Sequence, residues 1–174
     1  MIRIITILSF ALLLLPLRGG AQPLPTRIKV QAMELATAVM QNDFAAFARR
    51  AHPNVIAFGG GAERVRTKMD SAHQKMKRMG AGFTRYSIGS PAPIVTHGKE
   101  LQTLVPQSTT VRTPLGLMTV ESTLVAISRN EGKDWMFLDT GVYGPRRLQE
   151  VLPDLSPQLV LPPRKKPRLE PFDK

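Results

Sequence analysis

Residues 116–141 read GLMTVESTLVAISRNEGKDWMFLDTG, two runs of β character around one polar turn. In the first run Leu117, Thr119, Glu121, Thr123, Val125 and Ile127 point to one side, and Met118, Val120, Ser122, Leu124, Ala126 and Ser128 to the other, because strand side chains alternate. Both sets are mostly apolar, so this run is expected to be a central strand covered on both faces. Asn130-Glu131-Gly132-Lys133 supplies the turn, polar and glycine-bearing as hairpin connections are. Asp134 to Thr140 is read as the last strand, with Trp135, Phe137 and Asp139 on one face and Met136, Leu138 and Thr140 on the other.

Working outward, the residues before this stretch supply its other strands. Phe83–Ile88 has strand character, residues 89–93 (GSPAP) bend the chain, and Ile94–His97 resumes. Two prolines there imply an edge or a sharp corner. Leu101–Arg112 (LQTLVPQSTTVR) is a long Thr- and Val-rich run, in which Pro106 implies an edge or a bulge. Earlier still the period changes from two to 3.6. Ile28, Ala32, Leu35, Ala36 and Val39 fall on one helical face, and the prolines of residues 22–25 (QPLP) are expected to keep that segment out of the helix. Asp43 is placed to cap a second helix carrying Phe44, Phe47, Ala48 and Ala51, which His52-Pro53 stops. Asn54–Phe58 is a short apolar segment running into Gly59-Gly60-Gly61, a permissive turn. In a third helix, Glu63–Met79, the residues Val65, Met69, Ala72, Met76 and Met79 cluster in a stripe about 80° wide. Lysines and arginines lie outside the stripe, His73 at its border, and Gly80 and Gly82 end the helix. After Gly141, a short closing helix is expected over Arg146–Leu152.

The composition narrows the chemistry. The 174-residue chain has no cysteine, which excludes disulfides, thiolate catalysis and cysteine-ligated metals. Its three histidines, His52, His73 and His97, show no metal-ligand spacing, so no metal and no cofactor is expected, and no phosphate-binding glycine motif supports a nucleotide. Residues 1–21 (MIRIITILSFALLLLPLRGGA) have a basic start, a short apolar run and small residues at Gly19 and Ala21. That is the pattern of a signal peptide cleaved before Gln22, too short to span a bilayer. Export to the periplasm or beyond is the expectation. The net charge is +11; without Arg3 and Arg18 the remaining 22 basic residues face 13 acidic ones, or +9. Such a field favours anionic surfaces. Residues 22–152 are read as one domain and 153–174, proline-rich with the basic cluster RKKPR, as a disordered tail.

The order of elements, together with Asn42-Asp43-Phe44, His52-Pro53-Asn54-Val55, Val105-Pro106-Gln107, Glu121-Ser122 and Trp135-Met136-Phe137-Leu138-Asp139, resembles the nuclear transport factor 2-like superfamily, in particular an exported bacterial branch. The resemblance implies an α+β cone, with three N-terminal helices packed on a curved antiparallel sheet of about four strands that encloses a cavity. It also implies a homodimer through the sheet. Members include isomerases, dehydratases, cyclases and proteins without chemistry.

Glu121 is the most informative polar residue. A mid-strand carboxylate without a partner is costly. It either pairs with a base or lines a wet cavity with a raised pKa suited to acid–base work. Asp139, at the sheet end, is the second acid. His73, Tyr86, Gln107 and Trp135 complete the candidate cavity lining. Two functions follow as expectations. One is non-enzymatic binding of a small apolar or amphipathic ligand, or a protein partner, in the cone. The other is a small isomerase, dehydratase or hydrolase using a cavity carboxylate and histidine. No nucleic acid partner is expected, and the basic tail is assigned at most a weak contact with anionic envelope surfaces.

Overall fold

In the computed structural model, which describes residues 22–173, the first run of the opening stretch lies in the middle of the sheet and the second at its edge. The first run is strand β4 (Gly116–Ser128) and the second is β5 (Met136–Asp139), paired antiparallel from Leu124↔Asp139 to Ile127↔Met136. On its other side β4 pairs along its whole length with β3 (Glu100–Thr113). β3 in turn pairs with β1 (Gly82–Ile88) and with the short β2 (Val95–His97). A sixth strand, β6 (Arg168–Pro171), lies against Gly116–Thr119 of β4. The fold is α+β, an open antiparallel sheet of six strands with five helices among the described residues.

Alternation along β4 sorts the sheet into two faces, as its sequence requires. Leu124 and Ala126 join Ile88, Val105, Trp135 and Phe137 in a core against α1 (Leu24–Gln41), which contributes Ile28, Ala32 and Leu35. Val125 and Ile127 face the other way, with Leu104 and Leu138, and pack on Leu148, Val151 and Leu152, which belong to α5 (Pro145–Val151) and the residue after it. Burying a large apolar side chain is worth about 1.5–3 kcal/mol, so these two layers hold β4 from both sides. The coverage is uneven along the strand: residues 123–128 are buried, whereas 117–122 are only half-buried.

Three polar contacts fix the layers. Gln31, on the buried face of α1, accepts from the Trp135 N–H at 2.7 Å and donates to the Lys133 carbonyl at 3.0 Å, which clips the helix to the β4–β5 turn. That turn needs left-handed backbone at Glu131 (φ 60°) and Gly132 (φ 79°), and the Gly132 α-carbon abuts the Leu24 side chain. The outer edge of β5 is covered by Ala51–His52, where the His52 N–H donates to the Phe137 carbonyl at 2.8 Å.

The helices follow the punctuation with three differences. Asp43 caps α2 (Phe44–Arg50) by accepting from the Ala46 N–H at 2.9 Å. α1 begins at Leu24, not after the prolines, because Pro25 sits in the first turn, where its missing N–H has no intrahelical partner to lose. Residues 53–58 are a further helix, α3 (Pro53–Phe58), started by Pro53 with His52 as cap, so four helices precede the sheet rather than three. α4 (Ala62–Arg78) carries the apolar stripe, yet only Val65 is buried in it. Met69 and Met76 are half-buried, and Ala72 and Met79 are exposed. The helix lies beside α1 and α2, held by Asn42–Asp70, His73–Met40 and Arg66 over the Phe44 ring, and does not spread over the sheet.

Pro106 sits inside β3, a central strand, without breaking it. Its carbonyl accepts from the Gly89 N–H at 2.8 Å, so its N side points the same way, toward the gap between β1 and β2. There residues 89–94 loop past and demand no donor.

The segment expected to be a disordered tail is placed against the sheet. Leu155, Leu159 and Leu161 are half-buried on the α5 side of the core. Gln102, 0 % exposed, donates to the Asp154 carbonyl at 3.0 Å and accepts from the Ser156 N–H at 2.9 Å. Beyond Leu161 the chain runs exposed, and β6 closes it onto β4. Gly116 permits that approach: its φ is 146°, and a side chain there would strike the Glu170 and Pro171 backbone. The leader, residues 1–21, lies outside the described residues. No helix among the described residues is long and apolar enough to cross a membrane.

Candidate functional site

The six sequence candidates fall in four places. Trp135 is in none of the clefts: it is 0 % exposed and its indole N–H donates to the Gly132 carbonyl at 3.1 Å. The ring is a core residue whose polar end is already satisfied, which removes it from any lining.

Gln107 and Asp139 meet on the helix-facing side of the sheet. The Gln107 amide donates to Asp139 Oδ2 at 2.8 Å and to the Ser122 hydroxyl at 2.8 Å, while Asp139 Oδ1 accepts from the Gly141 N–H at 2.8 Å. This placement follows from alternation, since Gln107 and Ser122 are register partners and Asp139 opposes Leu124. Burial pushes the Asp139 carboxyl above its ordinary range, against the hydrogen bonds from Gly141, Ser122 and Gln107 that favour the charged form. Tyr86, in the neighbouring β1, packs against the same core. Its phenol is pushed up by burial first, with a hydrogen bond to Thr109 acting against that and the Asp139 charge adding to it. Two titratable groups therefore hold their protons more tightly here than in water.

Glu121 is on the opposite face. It stands at the surface, with 39 % of its side chain exposed, and Lys165 donates to its Oε2 at 2.6 Å. Its exposure follows from its place in residues 117–122 of β4, which are only half-buried. Of the two alternatives it takes the pairing, with a lysine of the C-terminal segment, and the Lys165 ammonium holds its carboxyl below the usual range.

His73 is in a fourth place, a cleft of α4 and β1 shared with Met40, Met76 and Phe83. Its Nε2 lies 3.1 Å from the Met40 carbonyl, and its ring centroid is 5.8 Å from that of Phe83. The Asp139 cluster and His73 thus sit in separate neighbourhoods.

A cavity of about 500 Å³ opens between the tail-facing side of the sheet and residues 162–167. Thr123 and Thr140 are among its lining residues, and Pro106, Pro162, Pro163 and Pro167 contribute rings. Proline rings offer apolar surface without an N–H. Glu121, Arg164 and Lys165 bring charge to the same space. Arg164 is fixed by donating to the Thr140 carbonyl at 2.8 Å and to the Tyr143 carbonyl. Gln107 borders the cavity as well, so it stands between this space and the Asp139 cluster. The sequence reading missed Thr123, Thr140 and the whole 162–167 wall. The available signal was the basic proline-rich run itself, but nothing in it says onto which surface it folds.

A second concavity of similar size runs between α1 and α2, where Val30 and Met33 stand partly exposed beside Glu34, Arg49 and Arg50. No group of three or more His, Asp or Glu placed to hold a metal occurs among the described residues.

Compared with protein families, curated proteins and solved structures, the chain shows no significant match.

Proposed function

We propose that this is an exported, non-catalytic binding protein for a small amphipathic ligand with an anionic end, held between the sheet and residues 162–167. One observation carries the reading: a space of about 500 Å³ next to the sheet combines proline walls with the Arg164 and Lys165 cations. An apolar body fits the walls, and a carboxylate or sulfonate competes with Glu121 for Lys165. Pockets of this volume are of ligand size. The scatter of the proton-moving groups supports binding over catalysis, since His73 is apart from both acids and Glu121 is held in its charged form. The element order supports a variant of the nuclear transport factor 2-like cone, with the ligand on the tail-facing side. A homodimer through that face would meet residues 148–161 already packed there, so the protein acts as a monomer in this reading.

The test is calorimetric titration of the full mature chain with dodecanoate, below its micellar concentration. Wild type is expected to bind with micromolar affinity, Lys165→Ala about tenfold more weakly, and Thr140→Phe, which puts a ring in the cavity, not measurably. Equal binding by all three, with unchanged circular dichroism, sinks the proposal. Cleavage before Gln22, read by N-terminal sequencing of the exported protein, tests the location.

One observation favours the enzymatic alternative, namely the upward-shifted Asp139 carboxyl beside Tyr86. It ranks second because both Asp139 oxygens already accept hydrogen bonds.

A further inference from the structure

Nine large apolar side chains stand exposed among the described residues, and four of them gather at one end of the molecule. Leu115, 73 % exposed, is the tip of the β3–β4 hairpin. Beside it, a methyl group added to Gly80 would touch the Pro114 ring at 3.8 Å, which brings the end of α4 and Met79, 53 % exposed, to the hairpin. From the other side β6 lays Pro171 opposite Gly116 and Leu169 opposite Met118, and Phe172 follows. Leu169 and Phe172 are 46 % and 42 % exposed.

Cations surround this apolar tip. The last turn of α4 carries Lys75, Lys77 and Arg78. The Arg112 guanidinium lies 5.0 Å from the centroid of the Phe172 ring, and Arg168 stands on β6. Among the described residues, Glu170, 3.7 Å from Arg168, and Asp173 are the acids of the same end. Among the described residues, five cations thus face two carboxylates around four apolar side chains.

We infer that this end docks on an anionic phospholipid bilayer, with Met79, Leu115, Leu169 and Phe172 entering the headgroup region and the surrounding cations meeting lipid phosphates. The two chemistries match the two layers of a membrane interface: apolar groups gain by leaving water, and cations near an anionic leaflet gain from its potential. A nucleic acid would use the cations but offers no apolar layer for Leu115 and Met79, so the bilayer is the occupant the surface fits. The site adjoins the proposed ligand cavity at Pro167–Arg168 but shares none of its lining residues, and neither requires the other. It also differs from adhesion by tail charge alone, because aliphatic residues of three separate segments take part.

The test is co-sedimentation of the full mature chain with vesicles of phosphatidylcholine alone, or containing phosphatidylglycerol at about one third of the lipid. Binding is expected only to the anionic vesicles and weakened at least about tenfold in Arg78→Glu/Arg112→Glu, since each cation near such a surface adds roughly 1 kcal/mol. Met79→Ser/Leu115→Ser, which changes only exposed side chains, is expected to lose a similar factor at unchanged charge. Thermal unfolding of both variants checks that the fold persists, and Leu115→Ser alone serves if either double variant unfolds. No binding to anionic vesicles overturns the inference. So does binding that Met79→Ser/Leu115→Ser leaves intact. So does tighter binding to duplex DNA than to vesicles, which would mark a nucleic-acid surface.

Discussion

Replacing Gln102 by Leu isolates what holds residues 153–161 on the sheet. The side chain is 0 % exposed, accepts from the Ser156 N–H and donates to the Asp154 carbonyl and to Glu100 Oε2. Leucine keeps the approximate volume and removes all three hydrogen bonds. The losses are unequal. Asp154 is exposed, so its carbonyl can turn to water, and Glu100 keeps Arg129 at 2.6 Å. Ser156 is 2 % exposed, and its N–H would be left buried without a partner, which costs about 1–3 kcal/mol. A loss of about 2 kcal/mol is therefore expected, lowering the thermal midpoint by roughly 4–8 °C for a chain of this size. Urea unfolding followed by tryptophan fluorescence reads it directly, since the single Trp135 lies in the other core layer and reports only global unfolding. A change below about 0.5 kcal/mol at constant urea dependence would show that the Gln102 contacts do not hold the segment.

Two further substitutions read opposite pH dependences, and the cavity has its own control. Burial first, then the Arg129 charge, lowers the His52 pKa, with Glu100 acting against them. The unfolded chain thus binds the extra proton, and stability is expected to fall as pH drops below about 6.5; His52→Asn, which can still cap α3, should flatten that limb in unfolding curves from pH 5 to 8. Asp139 behaves in the other sense: its folded pKa is raised, so stability is present below about pH 4 and is lost as pH rises through the folded value. Asp139→Asn can keep the Gly141 contact and is accommodated by a flip of the Gln107 amide, so it should match or exceed wild-type stability at pH 7 and lose its advantage at pH 3.5. Lys165→Ala removes only an exposed ion pair and should change stability by less than about 1 kcal/mol, which separates its effect on dodecanoate binding from any effect on folding.

The sheet was the most legible part of the chain. Alternation in residues 117–128 and 135–140 assigns each side chain to the face on which it is found, because the period of two leaves no freedom once both faces are covered. Asp43 and the glycine turn were readable for similar local reasons. What the sequence hid was long-range. The stripe on α4 predicts a buried face, but burial depends on what lies opposite, and most of that stripe meets solvent. Glu121 looked enclosed because its sequence neighbours are apolar, whereas its exposure is set by where the covering layers stop. Trp135 looked like a lining residue, and only the Gln31 and Gly132 contacts reveal it as core. The proline-rich composition of the tail argues for disorder, and it is a single buried glutamine, some fifty residues upstream, that anchors the start of the segment.

The proposed ligand site is the space between the sheet and residues 162–167. Backbone amide chemical-shift mapping during a titration with dodecanoate tests it most directly. The largest shifts are expected on Glu121–Thr123, Thr140–Gly141 and Arg164–Lys165, with Val30–Thr37 and Ala46–Arg50 unmoved. Shifts concentrated in the α1–α2 groove, or none at saturating probe, would contradict it.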